Sequence, residues 1–146
     1  MIIVLFGQPH SGKSTLADIL AKQLEDTAVI DGDAFREVFK NKDFTKKGRI
    51  ANLTKACDIG YYLVKTGIKS NLIYSMVFPY QEVRDYLRSL MPEAKFFYLT
   101  YDTPRGREKF HVEDFELEPE EDCTYINTEA LSIRETVSLI RDQGFN

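Results

Sequence analysis

Eight residues near the start of the chain, Gly7-Gln8-Pro9-His10-Ser11-Gly12-Lys13-Ser14, fit the pattern GxxxxGK[ST]. That pattern is suited to phosphate chemistry. Its glycines let the backbone curl so that N–H groups point at phosphate oxygens. The N-terminus of a following helix adds partial positive charge. Lys13 can reach the β- and γ-phosphates of a nucleoside triphosphate, and the Ser14 hydroxyl can hold Mg²⁺. The expected contacts to ATP are Gly7, His10, Ser11, Gly12, Lys13, Ser14 and Thr15. The motif does not fix the identity of His10, which reads as a loop residue rather than a base. A plain Gly-rich turn is the competing reading. The buried strand expected before the loop and the helix expected after it argue against that.

A second constellation is Asp31-Gly32-Asp33. It ends a short apolar run, and ligands of open α/β sheets bind beyond the carboxyl ends of strands. One carboxylate can orient Mg²⁺, and the other can accept the proton of an attacking hydroxyl. The alternative is an Asp-Gly turn with Asp33 as a helix N-cap. Arg36 follows one helical turn after Asp33. Arg49 and Asn52, three apart, share a face of a later helix. A guanidinium with an amide can hold an anionic, nucleotide-like molecule, and a solvated helix face is the alternative.

These residues need a frame that brings them to one edge. Ile2–Phe6 is an uncharged β-rich run, as expected of a strand buried on both faces. Leu16, Ile19, Leu20 and Leu24 then recur at helical spacing. Residues 27–30 read as a strand and 34–40 as a short helix. Ile50, Leu53, Cys57, Tyr61 and Val64 mark a long helix that Gly67 ends. Residues 68–74 read as a strand, and Pro79 as the opening of a helix that faces Val83, Tyr86, Leu87 and Leu90 inward. Residues 95–101 and 125–127 are further strands. Ser132 and Glu135 form a capping-box pattern at the last helix. The alternation predicts a three-layer α/β/α P-loop fold around a five-stranded parallel sheet. Residues 102–122 are charged and non-periodic, which in a compact domain suits an active-site lid.

Length and charge narrow the classes. At 146 residues the chain is expected to be one domain, 1–146, able to bury a real core. A net charge of −4 gives no basic field to track a nucleic acid. No apolar run approaches the length of a membrane span, and the opening MIIVLF lacks a basic n-region, so it does not read as a signal peptide. Cys57 and Cys123 form no metal-binding spacing and read as free thiols in a reducing cytoplasm.

Together these motifs resemble the adenylylsulfate kinase family. That family has a GxxGSGKST loop, a DGDxxR element and an F-S-x-x-D-R-x-x-N segment. Here Asp31-Gly32-Asp33-Ala34-Phe35-Arg36 and Phe44-Thr45-Lys46-Lys47-Gly48-Arg49-Ile50-Ala51-Asn52 are similar. The family's I-S-P-Y followed by Arg resembles Val77-Phe78-Pro79-Tyr80 with Arg84. Its P-E-N-P-x-x-x-I-x-T stretch resembles Pro119-Glu120-Glu121-Asp122 through Ile126-Asn127-Thr128. Three departures stand out. Phe78 replaces the family's Ser, Gly48 replaces its acidic residue, and a shorter segment around Arg105 and Arg107 replaces its C-E-x-R-D-x-K-G-L-Y lid.

The resemblance implies an ATP- and Mg²⁺-dependent kinase acting on the 3′-hydroxyl of adenylylsulfate. Asp31 and Asp33 would serve Mg²⁺ and the hydroxyl. Arg36, Arg49 and Asn52 would hold the sulfate–phosphate end, and Phe44 and Phe78, with Pro79, would make aromatic or main-chain contacts to the adenosine. Arg105, Arg107 or Lys109 would meet the transferred phosphoryl group. The family also implies a homodimer. The alternatives are a kinase of another small hydroxyl acceptor and a nucleotide-binding module without catalysis.

Overall fold

In the computed structural model, which describes residues 1–103 and 111–144, the first strand is β1 (Ile2–Phe6). All five of its side chains are buried, so helices must cover both of its faces. Ile2, Val4 and Phe6 join one apolar cluster, and Ile3 and Leu5 join another. The chain continues through α1 (Lys13–Gln23), β2 (Thr27–Asp31), α2 (Gly32–Val38), α3 (Lys46–Lys65) and β3 (Asn71–Ser75). It ends with α4 (Gln81–Leu90), β4 (Lys95–Thr100), β5 (Thr124–Asn127) and α5 (Ile133–Gly144). The strands form one five-stranded sheet in the order β2-β3-β1-β4-β5, parallel throughout. The three-layer parallel fold expected from the alternation is therefore the one observed.

Each face has its own core. Leu53, Ala56 and Cys57 of α3 and Val83 and Leu87 of α4 pack on Val4, Leu72 and Tyr74. Leu16, Ala17 and Leu20 of α1 and Val137 and Ile140 of α5 pack on Leu5, Ile73 and Phe97. At roughly 1.5–3 kcal/mol per buried side chain, these two layers supply most of the drive for folding. Ser132 and Glu135 cap α5 reciprocally: Ser132 N–H donates to Glu135 Oε1 at 3.0 Å, and Glu135 N–H to Ser132 Oγ at 3.1 Å. The capping box read from the sequence is thus formed.

Two of the boundary differences have a clear local cause. β3 begins at Asn71 rather than at residue 68. Ser70 N–H and hydroxyl are taken by the Asp26 carboxylate and Lys69 N–H by the Leu63 carbonyl, so Ile68 stays outside, half exposed. α4 begins at Gln81, with Tyr80 as N-cap, so Pro79 lies outside the helix rather than in its first turn. The cap comes from far away: Gln81 N–H donates to Glu116 Oε1 at 2.7 Å. Arg105, Arg107 and Lys109 lie outside the described residues.

Candidate active site

The carboxyl ends of β1, β2 and β3 meet at one edge, and a cavity of about 330 Å³ opens there. Gly7, directly after β1, has φ 146°, and a Cβ there would run into the Leu99 carbonyl. Its N–H donates to the Val77 carbonyl at 3.2 Å. Gly12, φ 94°, caps α1 in a left-handed conformation that glycine adopts without strain. The loop between them holds Lys13 by its own oxygens. The ammonium donates to the carbonyls of Gly7 at 3.2 Å and Gln8 at 2.9 Å and to Ser11 Oγ at 3.1 Å. Lys13 is almost buried and Ser11 fully so, while His10 (φ 70°) is exposed. The charge is positioned before any phosphate arrives.

Ser14 Oγ donates to Asp31 Oδ1 at 2.6 Å, and the other oxygen, Oδ2, accepts from Ala34 N–H at 3.2 Å. Asp31 is therefore the N-cap of α2. The alternative reading, an N-cap at Asp33, is not the one formed: Asp33 lies in the first helical turn and lines the cavity. A hydroxyl and a carboxylate side by side fit Mg²⁺, which takes one or two protein oxygens and completes its shell with water and phosphate. Among the described residues, no three His, Cys, Asp or Glu side chains cluster to hold a metal unaided.

The opposite wall comes from the α2–α3 connection. Arg36 Nη1 donates to the Asn41 side chain at 3.1 Å and to the Asn41 and Asp43 carbonyls at 3.3 Å. Its guanidinium lies 4.2 Å from the Phe44 ring centre, and that of Arg49 lies 5.9 Å away. Burial, and then the like charge of Arg49, lower the Arg36 pKa, while Asp43 and Asp33 oppose the shift. Asn52, nearly buried, accepts from Asn41 Nδ2 at 3.4 Å. Thr45 caps α3, and Asp43 in turn accepts from Thr45 Oγ1 at 2.6 Å and Thr45 N–H at 3.0 Å. These bonds hold the Asp43 carboxyl below its usual range.

Most of the expected site residues therefore converge. His10, Gly12, Lys13, Ser14, Thr15, Asp31, Asp33, Arg36, Phe44, Arg49, Asn52 and Pro79 all line the cavity. Gly7, Ser11 and Phe78 are not among the lining residues, and of the two contacts expected of Phe78 the buried ring leaves the main-chain one. The φ of Phe78 is 45°, its side chain is fully buried, and its ring packs edge-on against Tyr74, 5.7 Å away. Sequence reading missed Asn41, Asp43, Gln8, Tyr80 and Val112. The Asn41-Lys42-Asp43 run carries an Asx-turn signal that marks a loop, but no local pattern says which side chains such a loop will hold.

Burial raises the pKa of both thiols to about 12. Cys57 and Cys123 are free and take no part in this site. No helix among the described residues is long and apolar enough to cross a membrane.

Comparison with known proteins gives a consistent answer. The family model described as adenylylsulphate kinase matches residues 1–109. The chain is 34% identical over 98 residues to a probable adenylyl-sulfate kinase of Aeropyrum pernix, covering 64% of this chain and 52% of that one. It is 32% identical over 109 residues to the chloroplastic adenylyl-sulfate kinase 2 of Arabidopsis thaliana, covering 70% and 36%. The chain thus spans about half or less of these curated relatives. In fold it matches the Mycobacterium tuberculosis APS kinase CysC in complex with AMPPNP and APS, with a TM-score of 0.77 at 18% identity, over 99% of this chain and 98% of that one. The family match runs through the P-loop, the Asp31–Asp33 turn and the Arg36–Asn52 wall, and on it this chain belongs to the adenylylsulfate kinase family.

Proposed function

We propose that the protein is an ATP-dependent kinase that transfers the γ-phosphoryl group to the 3′-hydroxyl of adenylylsulfate, giving 3′-phosphoadenylylsulfate. One observation carries this reading. A phosphate-binding wall of Lys13, Ser14 and Asp31 faces an anion- and ring-binding wall of Arg36, Arg49 and Phe44 across one cavity. Family membership supports it.

The P-loop N–H groups and Lys13 hold the β- and γ-phosphates. Ser14 and Asp31 would hold Mg²⁺, which when bound neutralises charge between the phosphates. Arg36 and Arg49 orient the anionic end of the acceptor, and Phe44, half exposed, offers a ring face to its adenine. Asp33 takes the proton of the 3′-hydroxyl as that oxygen bonds to phosphorus. The bond from phosphorus to the β–γ bridging oxygen breaks, and ADP leaves. Arg105 and Arg107 are assigned, from the sequence, to the charge that develops on the transferred group. A homodimer and a cytoplasmic setting belong to the same reading.

A coupled assay of ADP release, run with adenylylsulfate and a panel of other alcohols, tests it. Turnover with adenylylsulfate is the expected result. Turnover of another alcohol without adenylylsulfate would shift the reading to a divergent kinase. ATP binding with no acceptor consumed would leave a binding module. Light scattering tests the dimer, and a monomer would refute it.

A further inference from the structure

The two walls are joined by a segment that neither motif contains. The Gln8 side chain meets the backbone of Val112 twice: Nε2 donates to the Val112 carbonyl at 2.8 Å, and Oε1 accepts Val112 N–H at 2.9 Å. This is a full amide rung across 104 residues of sequence. Val112 is buried and forms part of the cavity wall. Gln8 occupies a variable place in the GxxxxGK[ST] pattern, so phosphate binding by itself does not demand this side chain. Two residues past Val112, the Asp114 carboxylate accepts the Tyr80 hydroxyl at 3.0 and 3.1 Å. Arg49 lies close enough for its charge to act on the same Tyr80 hydroxyl.

Farther along, the segment is tied down firmly. Glu116 N–H donates to the Pro79 carbonyl at 2.8 Å. Arg84 donates to the Glu116 carbonyl and pairs with Glu118 at 2.9 Å, both side chains being fully buried. Arg88 also pairs with Glu118. One end of the path is the Lys13 ammonium. The Gln8 carbonyl is one of the oxygens that hold the Lys13 ammonium at 2.9 Å, and an incoming phosphate competes for that donor. Any resetting of Gln8 is passed by its own side chain to Val112.

We propose that residues 112–118 form a strap coupling the nucleotide wall to the acceptor wall, with Gln8 as the positioning residue that sets it. The path runs from Lys13 through Gln8, Val112 and Asp114 to Tyr80 and Arg49. The meaning of the two walls rests on the kinase reading, but the coupling is measurable without any acceptor. The experiment is hydrogen exchange on the full chain with and without Mg²⁺ and a non-hydrolysable ATP analogue, comparing wild type with Gln8→Ala and Gln8→Glu. In the wild type the analogue slows exchange at the Val112 and Glu116 amides. Gln8→Ala weakens analogue binding roughly five- to tenfold, about the worth of one of its two neutral hydrogen bonds. At saturating analogue it also abolishes the slowing at Glu116. A merely structural loss would speed exchange equally with and without analogue. Gln8→Glu keeps the acceptor for Val112 N–H but loses the donor, so it gives a smaller change of the same sign and serves if Gln8→Ala does not fold. Equal analogue-dependent slowing at Glu116 in wild type and variants, or none in the wild type, would overturn the strap. Failure of the kinase reading shows instead as absent ADP release with adenylylsulfate.

Discussion

At the P-loop, the groups that would meet a phosphate belong mainly to the backbone, and the carbonyls of Gly7 and Gln8 hold the single charged side chain, Lys13. Across the cavity, the working groups are side chains, Arg36, Phe44, Arg49 and Asn52, on a connection and a helix start that the two cores only partly cover. The first wall grows directly out of β1, all of whose residues are buried. The second is assembled by hydrogen bonds from Asn41 and Asp43. A backbone site inherits the rigidity of the sheet. A side-chain site depends on neighbours that must themselves be held. The P-loop wall should therefore fail all at once, and the acceptor wall by degrees.

The largest effect expected is that of Lys13→Ala. Removing a preorganised cation from the developing phosphoryl charge costs roughly a thousandfold or more in kcat. The side chain bonds to the loop's own oxygens rather than joining either apolar core, so the fold should survive. Single-turnover kinetics and a thermal melt read the two quantities separately. A fall in kcat of less than about tenfold would break the assignment of transition-state stabilisation to this wall.

That contrast also explains what could be read in advance. Gly7, Gly12, Lys13 and Ser14 obey a local rule, in which the glycines permit the turn and the next helix follows at once, and the structure places them accordingly. β1 and the alternating helices were legible for the same reason, since burial on both faces leaves an uncharged run. The acceptor wall was legible only as candidate residues. Arg36 and Arg49 could be named, but nothing near them in sequence shows that the Asn41 side chain meets Arg36 or that Tyr80 meets Arg49. For Phe78 the choice between a ring and a main-chain contact stayed open, because a hydrophobic residue beside a motif can turn either way. Its positive φ and the Tyr74 ring decide that it turns into the core. The Gln8–Val112 rung and the Arg84–Glu118 pair join positions more than 30 residues apart, and no periodicity reports such contacts.

A smaller effect is expected from Arg49→Ala. A charge-assisted hydrogen bond contributes about 1.5–3 kcal/mol, so the acceptor KM should rise roughly tenfold to a hundredfold. The KM for ATP should rise far less, by about twofold, the share that the strap carries to the nucleotide wall. Arg49→Lys should recover only part of the loss, because an ammonium cannot reproduce the planar fork of a guanidinium. A matching rise in both KM values would show that the walls are not separable, and would favour the strap as the dominant link between them.

The smallest effect concerns Asp43, whose carboxylate carries the start of α3. It accepts both the hydroxyl and the N–H of Thr45, the residue that caps the helix before Arg49. A Cβ at Gly48 would overlap this carboxylate, so the space left by the missing side chain is where Asp43 sits. Its folded pKa is lowered from an ordinary 3.8, first by the Thr45 hydrogen bonds. A depressed carboxyl contributes stability that is fully present above the unfolded value and is lost as pH falls through the folded one. The contribution should therefore be constant from pH 8 to pH 5 and fade only below 3.8. Asp43→Asn should lower the melting temperature by a small, constant amount across the neutral range, and the gap to wild type should close below that point. Because Asp43 is exposed, solvent screening keeps the shift small. Nucleotide affinity should not change. A gap that widens in acid would reverse the sign and show that Asp43 is repelled by its surroundings rather than held by Thr45.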